Sequence, residues 1–430
     1  MTKTDLSTAV GRRWIRALRR FVSALIALAT VGALPVLADD DLRLGGFGTF
    51  GYVRDNRTDI APARDISQLP KSGFRTGAGW LVDTRVGVQL EYAVSPTIDL
   101  VGQFVLRDQF RGDIDSFTDL AYVAFKPSPH WAIRAGRINY DAFLMADHRN
   151  VGYAYQWVRP PAEFYGWIPI FSLDGLDAAY TLSNDDAQWR FKAQLGTSEN
   201  NVPIQTGFNF RAKDMFGASV SRQSGPWRLK AAFARFTSTR DVPAFAALQG
   251  GLDQVIAANL ALVSAEAAEL RRNISFRNAR ISYTTLGAAY DDGAWLGQAE
   301  LGRSTATADV IPHSSMAYLS IGRRLGQWTP SVTRSTSRPA KAYRPAANNW
   351  GAFNASVRDP AIFTLNSTRI EQDTISLGLR WDFRSDAALK LQWDRTVIKP
   401  SGYGLWWRDT AINLTTQRIN QLSATLDFVF

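Results

Sequence analysis

Between Val151 and Trp167 the chain reads VGYAYQWVRPPAEFYGW, which sets Arg159 and Glu163 four residues apart among Tyr153, Tyr155, Trp157, Phe164, Tyr165 and Trp167. Asp141 and Asp147 lie just upstream. Acid, base and ring in one segment suit either a catalytic cleft or the charged lining of a water path. Pro160-Pro161 excludes the middle of a strand. Catalysis finds little support. The three histidines are His130 in a short turn, His313 in a loop, and His148 beside Asp147, and none has metal-ligand spacing. There is no cysteine, hence no thiol chemistry and no disulfide framework. No catalytic residue, metal or cofactor is expected, and the chain does not read as an enzyme.

More charge recurs at alternate positions along the rest of the chain. By parity, Arg85, Arg107, Arg134, Arg190, Lys192, Arg228 and Arg380 fall on the polar faces of extended segments, as do Lys230, Arg280 and Arg324. Glu91, Asp99, Asp177, Glu300, Asp382 and Asp394 share those faces. If the polar faces surround a pore, basic rings favour anions, and the excess of positive charge implies a mild anion preference.

The elements that must carry these residues are strands. In TISLGLRWDF (374–383) Ile375, Leu377, Leu379, Trp381 and Phe383 alternate with Thr374, Ser376, Gly378, Arg380 and Asp382. The period of two returns in LKLQWD (389–394) and in LSATLDFVF at the C-terminus, and indicates strands with one apolar and one polar face. About sixteen such candidates run from Leu42 to Ile419, most near the ~10 residues that cross a bilayer when tilted. The second is expected to begin at Trp80, the eighth at Ala212 and the tenth at Ser275. Short turns alternate with long connections near 55–79, 139–172, 239–274, 338–368 and 399–418, the sorting of a transmembrane barrel. Trp131, Trp189, Trp227, Trp295 and Trp328 each follow a short turn and predict an aromatic girdle at one interface. Backbone polar groups in hydrocarbon must all be paired, so these strands are expected to close. The exception is Val242–Asn273, rich in Ala and Leu, which reads as a helix over about Leu252–Arg271. It could pack on the mouth or enter the lumen.

Arg12, Arg13, Arg16, Arg19 and Arg20 precede an apolar run, Phe21–Leu37, and Val36-Leu37-Ala38 offers a small-residue cleavage site. Residues 1–38 therefore read as a secretory signal, leaving 39–430 as a single barrel domain. Their removal takes away a net +5 (Lys3 and five Arg against Asp5), so the formal +10 falls to +5. Half of the basic excess is thus targeting signal, and nucleic acid is not an expected partner. A hydrophobic fraction of 46% with no long apolar helix after residue 38 excludes a bundle of membrane helices.

With its alternating strands, sorted turns and terminal Phe430, the chain resembles the Gram-negative outer-membrane porins. PAEFYG (161–166) is similar to the Pro-Glu-Phe-Gly pattern of the family's constriction loop, with Ala162 and Tyr165 as departures. The resemblance implies a passive, water-filled channel for small hydrophilic solutes and ions. It implies an inward loop after the fifth strand, here about 139–172, and an assembly signal at Phe430 read by the barrel-assembly machinery. It also implies a homotrimer set in outer-membrane lipid and lipopolysaccharide. On that basis Asp141, Asp147, Arg159 and Glu163 are expected at the opening, with Arg85 and Arg134 opposite them, while Tyr153, Tyr155 and Trp157 dock the loop. Alternatives left open are a lid over the mouth, a substrate-specific channel for a sugar or an aromatic or organic acid, and a closed structural or adhesion barrel.

Overall fold

Sixteen long strands form one antiparallel sheet that returns on itself. They are β1 (Leu42–Asp55), β2 (Arg85–Ser95), β3 (Ile98–Arg107), β4 (Thr118–Ser128), β5 (Trp131–Asn139), β6 (Ser172–Ser183), β7 (Gln188–Val202) and β8 (Phe208–Ser224). The circle continues with β9 (Trp227–Ser238), β10 (Arg280–Asp291), β11 (Trp295–Ala306), β12 (Ser314–Arg323), β13 (Trp328–Pro339), β14 (Gln372–Arg384), β15 (Ala387–Ile398) and β16 (Gln417–Val429). The computed structural model describes residues 41–430 except 58, 62, 69–77, 110, 169, 204–207, 401–404 and 409–414. The expected signal segment 1–38 lies outside the described residues.

Closure is made by the first and last strands. On one side Phe47 faces Val429 and Thr49 faces Asp427, and on the other Thr49 faces Arg85. The seam is tightened by two bare backbone positions. The rings of Phe430 and Phe428 lie where a side chain on Gly46 or Gly48 would stand. Phe430 N also donates to Gly46 O at 3.0 Å and Gly46 N to Phe430 O at 2.9 Å. No helix of the described residues is long and apolar enough to cross a membrane.

Outward faces are apolar, with Leu377 51%, Leu391 46% and Leu422 59% exposed. Their neighbours Ser376, Gln392 and Ser423 point inward and are buried. Trp131, Trp227, Trp295 and Trp328 open their strands after short turns and are 44–48% exposed. They pair across strands: Trp328 stacks on Trp381 at 5.2 Å, and Trp227 meets Tyr290 at 4.8 Å.

Three strands begin four or more residues from where the sequence reading set them. Strand β2 begins at Arg85, not Trp80, because Thr84 turns the chain. Its hydroxyl donates to Trp80 O at 2.5 Å and accepts from Gly51 N at 3.0 Å. Strand β8 begins earlier, at Phe208, and carries a bulge at Asp214, whose φ is +52°. Strand β10 begins at Arg280, after a helix that runs on to Ile274.

That helix is one of two. The segment expected as a single helix is split into α1 (Ala246–Ala257) and α2 (Ala261–Ile274), with Asn259 at φ +52° and Ala261 at φ +40°. Asn tolerates the left-handed region better than most residues. A third helix, α3 (Asp359–Asn366), lies in the loop after β13. Leu252, Val255, Ala267, Leu270 and Ile274 of the helix pair belong to one buried apolar cluster with Ala361 and Leu365 of α3. Phe208, Phe210, Phe236, Ile281 and Tyr283 from the barrel wall join the same cluster. The helices therefore bind to the long-loop end of β8–β10 through an apolar inner wall.

Candidate functional site

The connection from β5 to β6, residues 140–171, runs inside the barrel. Its backbone bonds to inward side chains of distant strands. Leu144 N donates to Glu300 at 2.9 Å, Thr285 Oγ1 donates to Ala142 O at 2.7 Å, and Val158 N donates to Gln392 at 2.9 Å. Lys390 Nζ donates to Gly152 O at 2.6 Å and to Trp157 O at 2.9 Å. The aromatic run explains itself through these contacts. Trp157 Nε1 donates to Ser320 and Thr333, both at 2.9 Å, and its ring meets Tyr318 edge-on at 5.9 Å. Phe164 packs on Tyr318 at 5.4 Å and Trp167 on Tyr283 at 5.5 Å. Tyr165 and Tyr318 both donate to Glu300. Each ring pair adds about 0.5–1.5 kcal/mol beyond area burial. Pro160-Pro161 leads into one helical turn, Ala162–Tyr165.

The charges expected at the opening divide into two groups. Arg159 and Glu163 are buried anchors. Arg159 Nη2 meets Asp83 at 2.5 Å and Nη1 reaches Asp394 at 3.5 Å, while Ser423 accepts at 2.9 Å. Glu163 accepts from Ser335 at 2.6 Å, from Gln372 at 2.6 Å and from Thr374. Asp141 is held by Lys230, with Lys192 at 3.6 Å and Ser219 donating at 2.8 Å. Burial pushes the Asp141 carboxyl up, but Lys230 and Lys192 outweigh it and hold it below the usual range. Asp83 follows the same balance: burial raises it, while Arg159, Arg64 and Arg85 lower it further. Asp147 alone of the four is exposed, accepting from Asn139. Arg85 and Arg134 do not face these acids. Arg85 donates to Asp83 O at 3.0 Å, and Arg134 pairs with Asp177 of the neighbouring strand at 2.5 Å.

The rest of the basic wall is sorted likewise. Arg380 donates to Tyr153 O at 2.6 Å and Tyr155 O at 3.0 Å, and lies over the Tyr153 ring. Tyr153 OH in turn donates to Ser385 O at 2.7 Å. Lys192 also meets Asp177 at 3.2 Å. Arg190 and Arg228, by contrast, are exposed on the polar faces of β7 and β9, and no carboxylate pairs with them among the described residues. Burial and the Arg228 charge lower the His148 imidazole, which keeps it neutral at pH 7. Arg280 sits on the outward face, in step with Leu286 at 56% exposure, because Thr285 of the same strand bonds to the inner loop. Arg324 lies beyond β12, paired with Asp291 at 2.5 Å.

Sequence parity did not single out Asp83, Arg64 or Arg149. Asp83 receives Arg159 and Arg64, and Arg64 also donates to Tyr155 OH at 2.7 Å. Arg107 and Arg149 bracket the Phe171 ring, their guanidinium carbons 4.0 and 3.7 Å from its centroid. Phe171 and Asp119 line both an outer cavity, with Arg111 and Asp115, and an inner one, with Asp147 and His148.

No protein-family model matches the sequence, and no curated protein matches it. Solved structures do match. The anion-selective porin from Comamonas acidovorans is similar at a TM-score of 0.52 and 11% identity, covering 90% of this chain and 99% of that one. Salmonella typhi OmpF, in complex with daunomycin, is similar at a TM-score of 0.51 and 13% identity, covering 90% and 97%. At such identities the likeness is one of fold: this chain has the closed sixteen-stranded barrel fold of the Gram-negative outer-membrane porins.

Proposed function

We propose that the protein is an outer-membrane porin, a passive diffusion channel for small hydrophilic solutes and ions with a mild preference for anions. One observation carries the preference. Four inward carboxylates are neutralised, Asp141 by Lys230, Asp177 by Arg134, Asp382 by Arg380 and Asp394 by Arg159; Arg190 and Arg228 keep free charge in water, set against the unpaired Asp147 and Glu91. Uncompensated positive charge on a pore wall favours anions. The apolar outer face and tryptophan girdle support an outer-membrane location for the exported chain. Export by residues 1–38, assembly through Phe430, a homotrimer and contact with lipopolysaccharide complete this reading, which assigns no enzymatic activity. Single-channel conductance across a planar bilayer under a salt gradient tests it. Ohmic steps with an anion-leaning reversal potential are expected, and folded protein that gives no steps overturns it.

A second reading rests on the Arg107–Phe171–Arg149 bracket, which would suit a planar organic acid. Conductance that saturates with one such acid, but not with chloride, would favour that substrate-specific channel.

A further inference from the structure

Each pairing of long strands joins neighbours along the chain except one: β1 and β16 are the first and the last. Thr49 and Asp427, which meet across that seam, are 378 residues apart. The entropy of closing a loop grows with its length, so this pairing is the one that local connection helps least.

The inner loop lies across the seam. Its helical turn Gly152–Ala154 rests on β1 and β16 together. Thr49 of β1 faces Asp427 of β16 there, and Thr49 Oγ1 donates to Asp427 at 2.6 Å. Gly152 sits over that pair: a side chain in its place would meet both Asp427 Oδ1 and Thr49 Oγ1. Lys390 of β15 meets Asp427 at 3.2 Å and donates to Gly152 O at 2.6 Å and Trp157 O at 2.9 Å. Thr49 and Lys390 are 1% exposed and Asp427 is 0% exposed. Further along the loop, Arg159 repeats the arrangement. On one side it holds Asp83, which is fixed to β1: the next residue, Thr84, accepts from Gly51 N, and a side chain on Gly51 would meet Asp83 Cβ. On the other side Arg159 donates to Ser423 of β16 at 2.9 Å.

Neither half of this arrangement is complete without the other. With the seam open, Gly152 loses one wall of its seat and Arg159 one of its partners. With the loop away, Lys390 loses two carbonyls and Asp83 its two-pronged cation. A buried charge stripped of partners is strongly destabilising.

We propose that the inner loop is the clasp of the barrel: it locks β1 to β16, so that the seam and the loop open and close as one unit. The inference rests on the closed fold and not on the reading of the barrel as a channel. It also orders assembly, because the loop finds its seat only once β16 has reached β1.

Hydrogen exchange of the folded protein in micelles, read peptide by peptide by mass spectrometry, tests the clasp. In the wild type, rising urea should expose the amides of residues 152–158 and those of β1 and β16 in one step, while β7 and β8 stay protected to higher urea. Loop amides that exchange while the seam stays protected, or a seam that opens under a protected loop, overturn the proposal. Gly152→Val should speed exchange along β1 and β16 by roughly ten- to a hundredfold, as overpacking a filled site does, and leave β7 and β8 unchanged. Thr285→Val removes a tie of the same loop to β10, away from the seam, and should not speed β1 or β16. No speeding by Gly152→Val, or equal speeding by both variants, also overturns the proposal. Should Gly152→Val fail to fold, the wild-type urea series decides alone. Conductance of the same preparation reports on the channel reading separately.

Discussion

Arg159 of the inner loop and Asp83 of the first long loop form a two-pronged pair inside the lumen, Nη2 to Oδ2 at 2.5 Å and Nε to Oδ1 at 3.1 Å, with side chains 7% and 1% exposed. The pair ties two loops to each other, and Ser423 and Asp394 tie it to the wall. Removing one partner of a buried pair costs about 3–5 kcal/mol, because the other charge is left without compensation. Arg159→Met is therefore expected to destabilise the folded barrel by about that much. Arg64→Met should cost less, since Arg64 meets Asp83 only at 3.3 Å and is the more exposed of the two arginines. Urea unfolding in micelles, followed by tryptophan fluorescence, orders the two variants. Equal costs would mean that Asp83 does not depend on Arg159.

Acid should release the inner loop, with a defined sign. Asp83 and Asp141 both have carboxyls held below the ordinary range by their cations. A depressed folded-state pKa contributes stability that is present above the unfolded value of about 4 and is lost as pH falls through the folded value. Stability should thus change little from these groups between pH 7 and 5 and fall below about pH 4. Asp141→Asn should flatten part of that fall. A loss centred near pH 6 would place the sensitivity in other groups.

Trp157 separates packing from hydrogen bonding. Its indole N–H donates to Ser320 and Thr333, which also bond to each other at 2.6 Å. Trp157→Phe leaves those hydroxyls partnered and should cost about 1 kcal/mol. Trp157→Ala opens a cavity against Tyr318 and should cost about 3–5 kcal/mol. Unfolding measurements on the two variants, with current noise as a measure of loop motion, check the difference. Similar costs would mean that the loop is held chiefly by its polar contacts.

Much of the barrel was legible because lipid imposes one rule on every strand: apolar residues at every second position, as in Ile375, Leu377 and Leu379. That rule concerns the outer face only. It said nothing of the inner face, which parity took to be polar throughout. Phe208, Phe210, Phe236 and Ile281 point inward and are apolar because α1 and α2 cover them. Arg280 was misplaced for a related reason: it is the first, exposed residue of its strand, where the apolar rule of the outer face ends and charge no longer marks the lumen. The anchors of the loop were illegible on other grounds. Glu163 and Thr374 are 211 residues apart and Arg159 and Asp83 are 76, and no local period connects them. The aromatic run showed that something must receive those rings, but not which strands.

Ion preference should follow Arg190 and Arg228, and respond to His148. Arg190→Gln/Arg228→Gln removes the two free cations of β7 and β9 without touching the loop's anchors. The reversal potential under a salt gradient should move toward cation preference while unfolding stability stays within about 0.5 kcal/mol, as for exposed sites. His148 lies near Arg228, Lys230 and Asp147, and burial with the Arg228 charge keeps its pKa below the ordinary histidine value of about 6.5. Its neutral form is therefore favoured at pH 7, and positive charge appears as pH falls below that value. Between about pH 7 and 5 the ordinary carboxylates remain mostly ionised, so protonation of His148 should move the wild-type reversal potential toward anions. His148→Asn should remove that movement and leave the value at pH 7 unchanged. A wild-type potential that is flat over this range, or a His148→Asn variant that still titrates, would take His148 off the ion path. An Arg190→Gln/Arg228→Gln variant with unaltered selectivity would place the deciding charge at the Arg107–Phe171–Arg149 bracket instead.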